Sequence, residues 1–276
     1  MGVISAVPNL IGMKYIYLIS IFFHPLIYAQ VKPGPRSVAL GSAGTALQDV
    51  WSLQQNAAGL AGISHAIIAL GYESHFINPE LTTQTAILGL PIRNYVVGLS
   101  FQRFGIAEYR EQNSGLALTK RFSTELAISL ALKYHQISIP VYGSAHSFSM
   151  DAGIQYQLNE RVRFGSSIIN PGRSKINGFS DFQLPSSIAV GVGIELSDKV
   201  LIASDIDKIL GIGVNVRLGM EYQIIQWFYL RGGIASSPYK QSFGFGFKYA
   251  KVVLDAAVSS HPKLGYSPNL SVGYEF

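Results

Sequence analysis

The stretch "QSFGFGFKYA" (residues 241–250) places an aromatic side chain at every second position from 243 to 249, with glycine or lysine between them. Successive side chains of a β-strand point to opposite faces, so one face would carry Phe243, Phe245, Phe247 and Tyr249. The other face would carry only Gly244, Gly246 and Lys248. This division predicts a strand whose bulky face meets lipid and whose small, partly charged face lines a crowded polar interior.

The composition supports a membrane protein. Of the 276 residues, only 13% are charged, whereas 48% are hydrophobic; soluble domains have about 25% charged residues. Outside the N-terminal region, no apolar run approaches the roughly 18–20 residues of a spanning helix. Alternating apolar residues without long runs are typical of a transmembrane antiparallel β-barrel. The sequence therefore predicts an all-β fold of this kind.

The first residues have the pattern of a secretory signal peptide. In "MKYIYLISIFFHPLIYAQ", Lys14 is followed by an apolar run over 15–23, and Ala29 provides a small residue for cleavage. We expect residues 1–29 to be the signal peptide, with 1–12 a start-site artefact before Met13. The chain has no cysteine, so the exported protein would have neither disulfides nor a lipid-modified cysteine.

Residues 30–62 are predicted to form a linker and a plug, and residues 63–276 the barrel. The spacing of Ala46, Leu47, Val50, Trp51 and Leu53 predicts a short helix from about Thr45 to Leu60. We expect this helix to occupy the lumen of the barrel and to bury Trp51 and Leu53 there. It would either stabilise the barrel as a fixed plug or gate a hydrophobic passage.

About fourteen strands are predicted after residue 62. Their ranges are 63–75, 83–92, 94–104, 113–122, 124–138, 145–158, 160–169, 186–196, 198–207, 212–224, 226–235, 241–249, 251–260 and 267–276. Every second connection is tight, whereas the others are mostly longer. Short turns at one rim and longer loops at the other are typical of outer-membrane barrels.

Charged residues alternate with the apolar positions and are predicted to face the lumen. The lumen charges that we predict are Asp151, Arg163, Arg217, Glu221, Lys248 and Asp255. A charge on the lipid face costs about 2–4 kcal/mol at the membrane midplane. The face of each strand that carries the charges is therefore predicted to face the lumen, and the apolar face to face lipid. Strand 226–235 is ambiguous, because both of its faces are bulky.

The last residues, "NLSVGYEF", alternate up to a terminal aromatic, with Tyr274 and Phe276 on one face. This ending resembles the C-terminal signal by which bacterial outer-membrane proteins are recognised for insertion. The resemblance implies two partners, outer-membrane lipid and the outer-membrane insertion machinery.

The segment "ALGSAGTALQDVWSLQQNAAGLA" is similar to the N-terminal plug of FadL-like barrels. The matching plug residues include Gly41, Gly44, Asp49, Trp51, Asn56 and Gly59, whereas Ala57 replaces the family's proline. The C-terminal half resembles the PorV/PorQ branch more closely, through "LPSSIAVGVG", "IASDIDK", "SFGFGFKY" and "VVLDAAVSSHPKLGYSPNLSVGYEF". PorV/PorQ proteins are associated with the type IX secretion system of Bacteroidetes-type bacteria, where they bind proteins and catalyse nothing.

No residue pattern indicates an enzyme, a cofactor or a metal site. The six histidines are not at metal-ligand spacing. Asp205 and Asp207 would share one face of a strand near a loop, either as a cation or substrate contact or as lumen charges paired with Lys or Arg. The pI of about 9.3 comes from scattered residues, so we expect no nucleic-acid partner.

The leading functional hypothesis is a PorV/PorQ-type outer-membrane barrel that takes part in protein secretion or surface attachment. Its partners would be secretion-system components or secreted cargo proteins. The alternative is a FadL-like transporter of hydrophobic small molecules across the outer membrane. A third hypothesis, a plain structural or porin-like barrel, is disfavoured by the predicted plug.

Overall fold

The computed structural model of the chain describes residues 33–140, 142–176 and 182–276. The predicted signal peptide, residues 1–29, lies outside the described residues. Among the residues that are described, no helix is both long enough and apolar enough to cross a membrane.

Fourteen antiparallel strands close into a barrel, as the sequence predicts. The strands are β1 Ile67–Ser74, β2 Thr82–Ile92, β3 Tyr95–Gly105, β4 Arg110–Arg121, β5 Leu126–Ile139, β6 Gly143–Asn159, β7 Val162–Ile169, β10 Ser187–Ser197, β11 Val200–Ile209, β12 Gly213–Ile225, β13 Phe228–Ser236, β14 Tyr239–Tyr249, β15 Val252–His261 and β16 Gly265–Glu275. Two short strands in the connection between β7 and β10, β8 Lys175–Ile176 and β9 Phe182–Gln183, form a separate sheet. Strand β1 pairs with β16, from Ile67 opposite Glu275 to Glu73 opposite Asn269. This pairing removes both free edges of the sheet.

The connections differ less between the two rims than the sequence predicts. One rim, the turn end, has tight connections such as 93–94 and 250–251, and the C-terminal Phe276 lies there with its N–H bonded to Ala66 O. At the opposite rim, the loop end, most strands extend further than predicted. Between the described strands, the connections 75–81 and 170–186 remain long there.

The long connection 170–186 contains a small hairpin that the sequence analysis missed. It is formed by β8 Lys175–Ile176 and β9 Phe182–Gln183. Ile176 and Leu184 are buried against Ile137 and Ala145 of the barrel wall. The described parts of this connection therefore pack against the wall at the loop end of the lumen. Its two-residue strands are too short to give an alternating pattern.

The aromatic row of β14 faces outward. Phe243 and Phe245 are 63% and 49% exposed, whereas the neighbouring Ser242 is buried. The ambiguous strand is β13, in which Leu230 and Ile234 are exposed and Arg231 is buried. Outward apolar and inward polar side chains are the arrangement of a barrel that crosses a lipid bilayer.

The N-terminal residues fill the lumen, but the predicted helix over 45–60 is wrong. The plug, defined here as residues 33–62, contains an α-helix, α1, at Pro35–Ala39 and two 3-10 helices, η1 at Val50–Gln54 and η2 at Ala57–Gly62. A third 3-10 helix, η3, spans His75–Ile77 at the loop end. The barrel wall surrounds the plug, so apolar residues are buried on every side of it. Their spacing therefore does not indicate one buried face of a single helix.

Side-chain caps divide the plug into short turns. The Asp49 carboxylate accepts a hydrogen bond from Ser52 N at 3.0 Å, and the Ser52 hydroxyl accepts one from Asp49 N at 3.2 Å. This reciprocal capping box starts η1. The side chain of Asn56 starts η2 by accepting from Ala58 N at 3.2 Å. These polar residues compete with a continuous helix for the backbone N–H groups.

Wall glycines make the space that the plug occupies. The glycines that lie against the plug, called here the glycine belt, are Gly71, Gly89, Gly98, Gly153, Gly165, Gly191, Gly193, Gly219, Gly233 and Gly244. A Cβ atom at position 233 would lie 2.2 Å from Gly41 N. In the stretch 241–250, the inward-facing Gly244 lies against the plug, so a larger side chain would not fit at this position.

Candidate functional site

The plug separates two cavities inside the barrel. The loop-end cavity has a volume of about 360 Å³ and is lined by the plug residues Ser42, Thr45, Gln54 and Gln55. The turn-end cavity has a volume of about 340 Å³ and is lined by Arg36, Asp49 and Trp51 of the plug. Both volumes lie in the range of small-molecule sites, roughly 300–1,000 Å³.

A buried ion-pair network fixes the turn-end side of the plug. Arg36 binds Glu221 through two hydrogen bonds of 2.9 and 2.8 Å, and its third nitrogen lies 3.0 Å from Asp49. Arg231 joins the same Glu221 at 2.6 Å and Asp255 at 2.5 Å. The network thus connects the plug to β12, β13 and β15.

Arg36 is charged at every physiological pH. Burial by itself lowers the pKa of its guanidinium. The carboxylates of Glu221 and Asp49 together raise this pKa by more than burial lowers it, so the pKa lies above its ordinary value. Two-pronged pairing with a carboxylate is the geometry in which arginine binds most strongly. Arg36 lies in the predicted linker, and this role was not predicted from the sequence. The available signal was that Arg36 is the single charged residue in the segment 36–48.

Asp205 and Asp207 fix the middle of the plug from β11. Asp205 Oδ2 accepts hydrogen bonds from Gly44 N at 2.8 Å, Thr45 N at 2.9 Å and the Thr45 hydroxyl at 2.7 Å. Asp207 pairs with Arg217 at 2.8 Å, and Arg217 donates to Ser42 O at 3.2 Å. Asp207 is therefore a charge paired with an arginine, whereas Asp205 binds backbone N–H groups of the plug.

A second polar group lies on the wall of the loop-end cavity. Lys133 Nζ is 2.6 Å from Asp151, and the His135 ring nitrogens lie 2.7 Å from Asn113 Oδ1 and 2.8 Å from Ser149 Oγ. Lys133, His135 and Ser149 line the cavity. The predicted lumen charge Asp151 thus has a partner on the neighbouring strand, which only the strand register could identify.

The remaining predicted lumen charges lie nearer the turn end. Arg163 donates to Gln157 at 2.6 Å and reaches Ala46 O of the plug at 3.5 Å. Lys248 pairs with Glu275 at 2.8 Å, with about half of its side chain exposed. Lys248 therefore belongs to the rim of the turn-end cavity.

The predicted plug residues contact the wall or one another. Gly41 has a φ of +67°, and a Cβ atom there would lie 2.5 Å from Ile234 O. The ring of Trp51 packs against Gly71 of β1, and the Asn56 side chain donates a hydrogen bond to Ile154 O at 3.1 Å. Gly44 and Gly59 pack against Gln55 and Ser52 within the plug.

The two C-terminal aromatics lie at the turn end. The rings of Tyr274 and Phe276 meet edge to face, 5.2 Å apart. Their proposed role in insertion stays a prediction.

Over the described ranges, no group of three His, Cys, Asp or Glu side chains could hold a metal ion.

Comparison with known proteins identifies the fold. No protein-family model and no curated protein matches the chain. The CymD monoaromatic hydrocarbon channel matches with a TM-score of 0.67 at 14% identity, over 90% of this chain and 99% of that chain. The P. putida toluene transporter TodX matches with a TM-score of 0.70 at 10% identity, over 90% and 99%. A Pseudomonas aeruginosa FadL homologue matches with a TM-score of 0.63 at 13% identity, over 88% and 98%.

The chain has a FadL-like barrel fold. Identities of this size show the fold alone, so they agree with the broader of the two resemblances that the sequence suggested. The finer PorV/PorQ assignment depends on the quoted sequence stretches and stays a prediction.

Proposed function

We propose that this protein is an outer-membrane passage for hydrophobic small molecules, closed by its plug. The observation that carries the proposal is the pair of cavities inside one closed barrel, with the plug between them. The similar folds of a monoaromatic hydrocarbon channel and a toluene transporter support it. The two cavities and the similar folds together favour the transporter hypothesis over the secretion hypothesis, which the sequence favoured.

Barrels of the outer membrane have their short turns on the periplasmic side. The turn-end cavity would therefore open to the periplasm and the loop-end cavity to the outside. A molecule entering the loop-end cavity would reach the turn-end cavity when the plug moves. The polar contacts of the plug with Asp205 and Glu221 would hold it closed in the meantime.

An engineered disulfide can test whether the plug must move. A Cβ atom at Gly193 of β10 would lie 3.7 Å from Ala46 Cβ of the plug, close to the mean Cβ–Cβ distance of disulfides, about 3.8 Å. The double variant Ala46→Cys/Gly193→Cys would therefore link plug to wall. The chain has no other cysteine to compete.

The assay is initial uptake of radiolabelled toluene by intact cells of a Gram-negative host that lacks its own channels for hydrophobic compounds. We expect the wild-type chain to raise the rate, the oxidised plug-locked variant to return it to the empty-vector level, and dithiothreitol to restore it. The control Ala69→Cys/Gly273→Cys has the same 3.7 Å geometry but links β1 to β16. Its uptake should stay at the wild-type rate. Wild-type uptake at the empty-vector level would overturn the proposal.

The second candidate is the PorV/PorQ-type role in secretion or surface attachment. The observation that favours it is the number of buried contacts between plug and wall, which suits a plug that stays in place while partner proteins bind at the rims. A deletion mutant that loses secreted or surface-attached proteins but retains uptake would support this role. Affinity purification from the native outer membrane would identify the partners.

A further inference from the structure

A continuous row of polar side chains crosses the outer surface of the barrel near the loop end. The residues of this row, called here the polar row, lie directly opposite one another on five adjacent strands, and they are Gln84 of β2, Arg103 of β3, Gln112 of β4, Gln136 of β5 and His146 of β6. The chain neighbours Gln102 and His135 point inward and are buried, whereas Gln84, Arg103 and His146 are exposed. The polar row therefore faces the membrane side of the wall.

The polar row lies at the edge of the band that meets hydrocarbon. At the turn end of β3, Lys120 Nζ lies 5.5 Å from the centre of the Tyr95 ring, and lysine and tyrosine side chains are typical of a membrane interface. Tyr95 and Arg103 are eight residues apart, about 27 Å along a strand and about 20 Å along the membrane normal at a tilt of ~40°. The apolar band of such barrels is about 25 Å tall, so the polar row lies beside the lipid headgroups at the loop end.

Aromatic side chains adjoin the polar row on the side of the hydrocarbon. The next outward positions toward the turn end carry Phe101, Tyr134 and Phe148. The rings of Tyr134 and Phe148 lie 5.2 Å apart. A girdle of aromatic residues marks the interface in outer-membrane barrels, which agrees with the depth of the polar row.

The polar surface is confined to one side of the barrel. On β10, β11 and β12, the outward positions opposite one another near the loop end are Ile188, Lys208 and Val214. Ile188 and Val214 are 50% and 54% exposed, although each is the second residue of its strand. Apolar surface thus continues to the loop end there, whereas on β2–β6 it stops at the polar row, three or four residues from that end. A boundary of the membrane alone would give the same pattern on both sides, so the one-sided row indicates a binding surface.

The charge of this surface favours an anion. The polar row contains an arginine and no carboxylate. A second arginine, Arg110, lies two residues before Gln112 on the same face of β4 and is half-buried. Glu108 is exposed in the turn between β3 and β4, but among the described residues neither arginine forms an ion pair with it or with any other carboxylate. Two neighbouring cations without a counter-ion attract a negatively charged group.

We infer that the polar row binds the phosphate headgroup of an anionic lipid in the membrane leaflet at the loop end. Arg103 would hold the phosphate through two parallel N–H donors, the geometry in which a guanidinium binds phosphate best. The amides of Gln84 and Gln112, on either side, would donate to the headgroup oxygens. The acyl chains would lie on the exposed side chains of Phe101 and Leu99. A lipid thus supplies both the anion for the arginine and the hydrocarbon for the apolar surface below it. The inference does not depend on the proposed passage.

Two lipids that differ only by the phosphate test the inference, by native mass spectrometry on the full mature chain in detergent. These are dioleoyl phosphatidic acid and dioleoylglycerol. We expect the protein to retain phosphatidic acid at least about tenfold better, because hydrogen bonds between charged partners are strong. Equal retention of the two lipids would overturn the inference. An excess of inorganic phosphate should not displace the lipid, and displacement would mean that the site takes free phosphate instead of a headgroup.

Two substitutions of outward cations at the loop end provide the matched comparison. Arg103→Gln should lower the retention of phosphatidic acid to that of dioleoylglycerol and leave toluene uptake unchanged, since Arg103 lies outside the lumen. Lys208→Gln also removes one outward cation, but its cross-strand neighbours Ile188 and Val214 are apolar. It should keep the wild-type preference for phosphatidic acid. Equal losses in the two variants would show that overall charge, and not the polar row, attracts the lipid.

Photo-crosslinking in the native outer membrane distinguishes a lipid from a protein at the polar row. With p-benzoylphenylalanine in place of Gln136, we expect adducts whose added mass is that of a phosphate-containing lipid. An adduct with another protein chain would overturn the inference and identify the row as a protein interface.

Discussion

At the scale of single residues, several polar groups of the wall fix the plug, among them the Asp205 carboxylate, the Glu221–Arg231–Asp255 cluster and the Arg217 guanidinium. The sequence could show that these charges lie on the inner face of their strands, because they alternate with apolar residues. It could not show their partners, since Asp205 and Gly44 are separated by 161 positions. Only the barrel closure brings such pairs together.

Asp205→Ala should loosen the plug. Two buried N–H groups, of Gly44 and Thr45, would lose their acceptor, at roughly 1–3 kcal/mol each. We expect a loss of at least about 2 kcal/mol in the free energy of unfolding and faster hydrogen exchange at these two amides. Asp205→Asn retains an acceptor oxygen and should lose much less. Equal losses in the two variants would contradict this account of Asp205.

Arg231→Met should destabilise the protein by about 3–5 kcal/mol, because it leaves the buried Asp255 without its arginine. Arg231 also binds Glu221, but Glu221 would keep Arg36. Adding Asp255→Leu should therefore recover a large part of the loss, which chemical denaturation in lipid vesicles would measure. A double variant no more stable than Arg231→Met would show that the pair with Asp255 is not the main contact.

At the scale of elements, the strands were predictable and the plug was not. Strands such as β5 and β14 alternate in the sequence, because one face meets lipid and the other the lumen. The plug meets wall on every side, so its buried residues Val50, Trp51 and Leu53 follow no single period. The sequence thus indicated that a plug exists but misassigned its secondary structure.

The glycine belt provides a test at this scale, through two neighbouring glycines of β13. A Cβ atom at Gly233 would lie 2.2 Å from plug backbone, whereas one at Gly232 would meet only the Phe243 ring, at 3.9 Å. Gly233→Ala should lower the thermal midpoint and increase protease cleavage within the plug. Gly232→Ala should change neither. If both variants behave like the wild type, the belt is not required to seat the plug.

At the scale of the whole molecule, the apolar exterior and the polar lumen define how the barrel sits in a membrane. Outward apolar side chains occur on strands all around the barrel, including Leu99 of β3, Leu132 of β5, Val190 of β10 and Phe245 of β14. The resemblance to PorV/PorQ proteins implies the Gram-negative outer membrane of a Bacteroidetes-type bacterium as the location, and the type of bacterium stays a prediction. The alternating pattern made the closed barrel predictable, whereas the cavities arise from packing between distant residues and left no sequence signal.

Arginine on the lipid face should be costly near the middle of a strand and cheap near its end. Leu132 is 48% exposed midway along β5, and Leu158 is 54% exposed beside the turn at 160–161. Leu132→Arg should reduce the free energy of unfolding in vesicles by about 2–4 kcal/mol, and Leu158→Arg by about 0–1 kcal/mol. Equal effects would mean that the two positions do not lie at different depths in lipid.

The central claim is that the aromatic row of β14 faces lipid and the opposite side of the wall faces a water-accessible lumen. Nitroxide labels at Phe245→Cys, on the outer face, and at Ser259→Cys, in the loop-end cavity, test it in reconstituted bilayers. Electron paramagnetic resonance relaxation should show the label at 245 colliding mainly with oxygen dissolved in lipid and the label at 259 with a water-soluble nickel complex. Nickel accessibility at 245 together with oxygen accessibility at 259 would contradict the account.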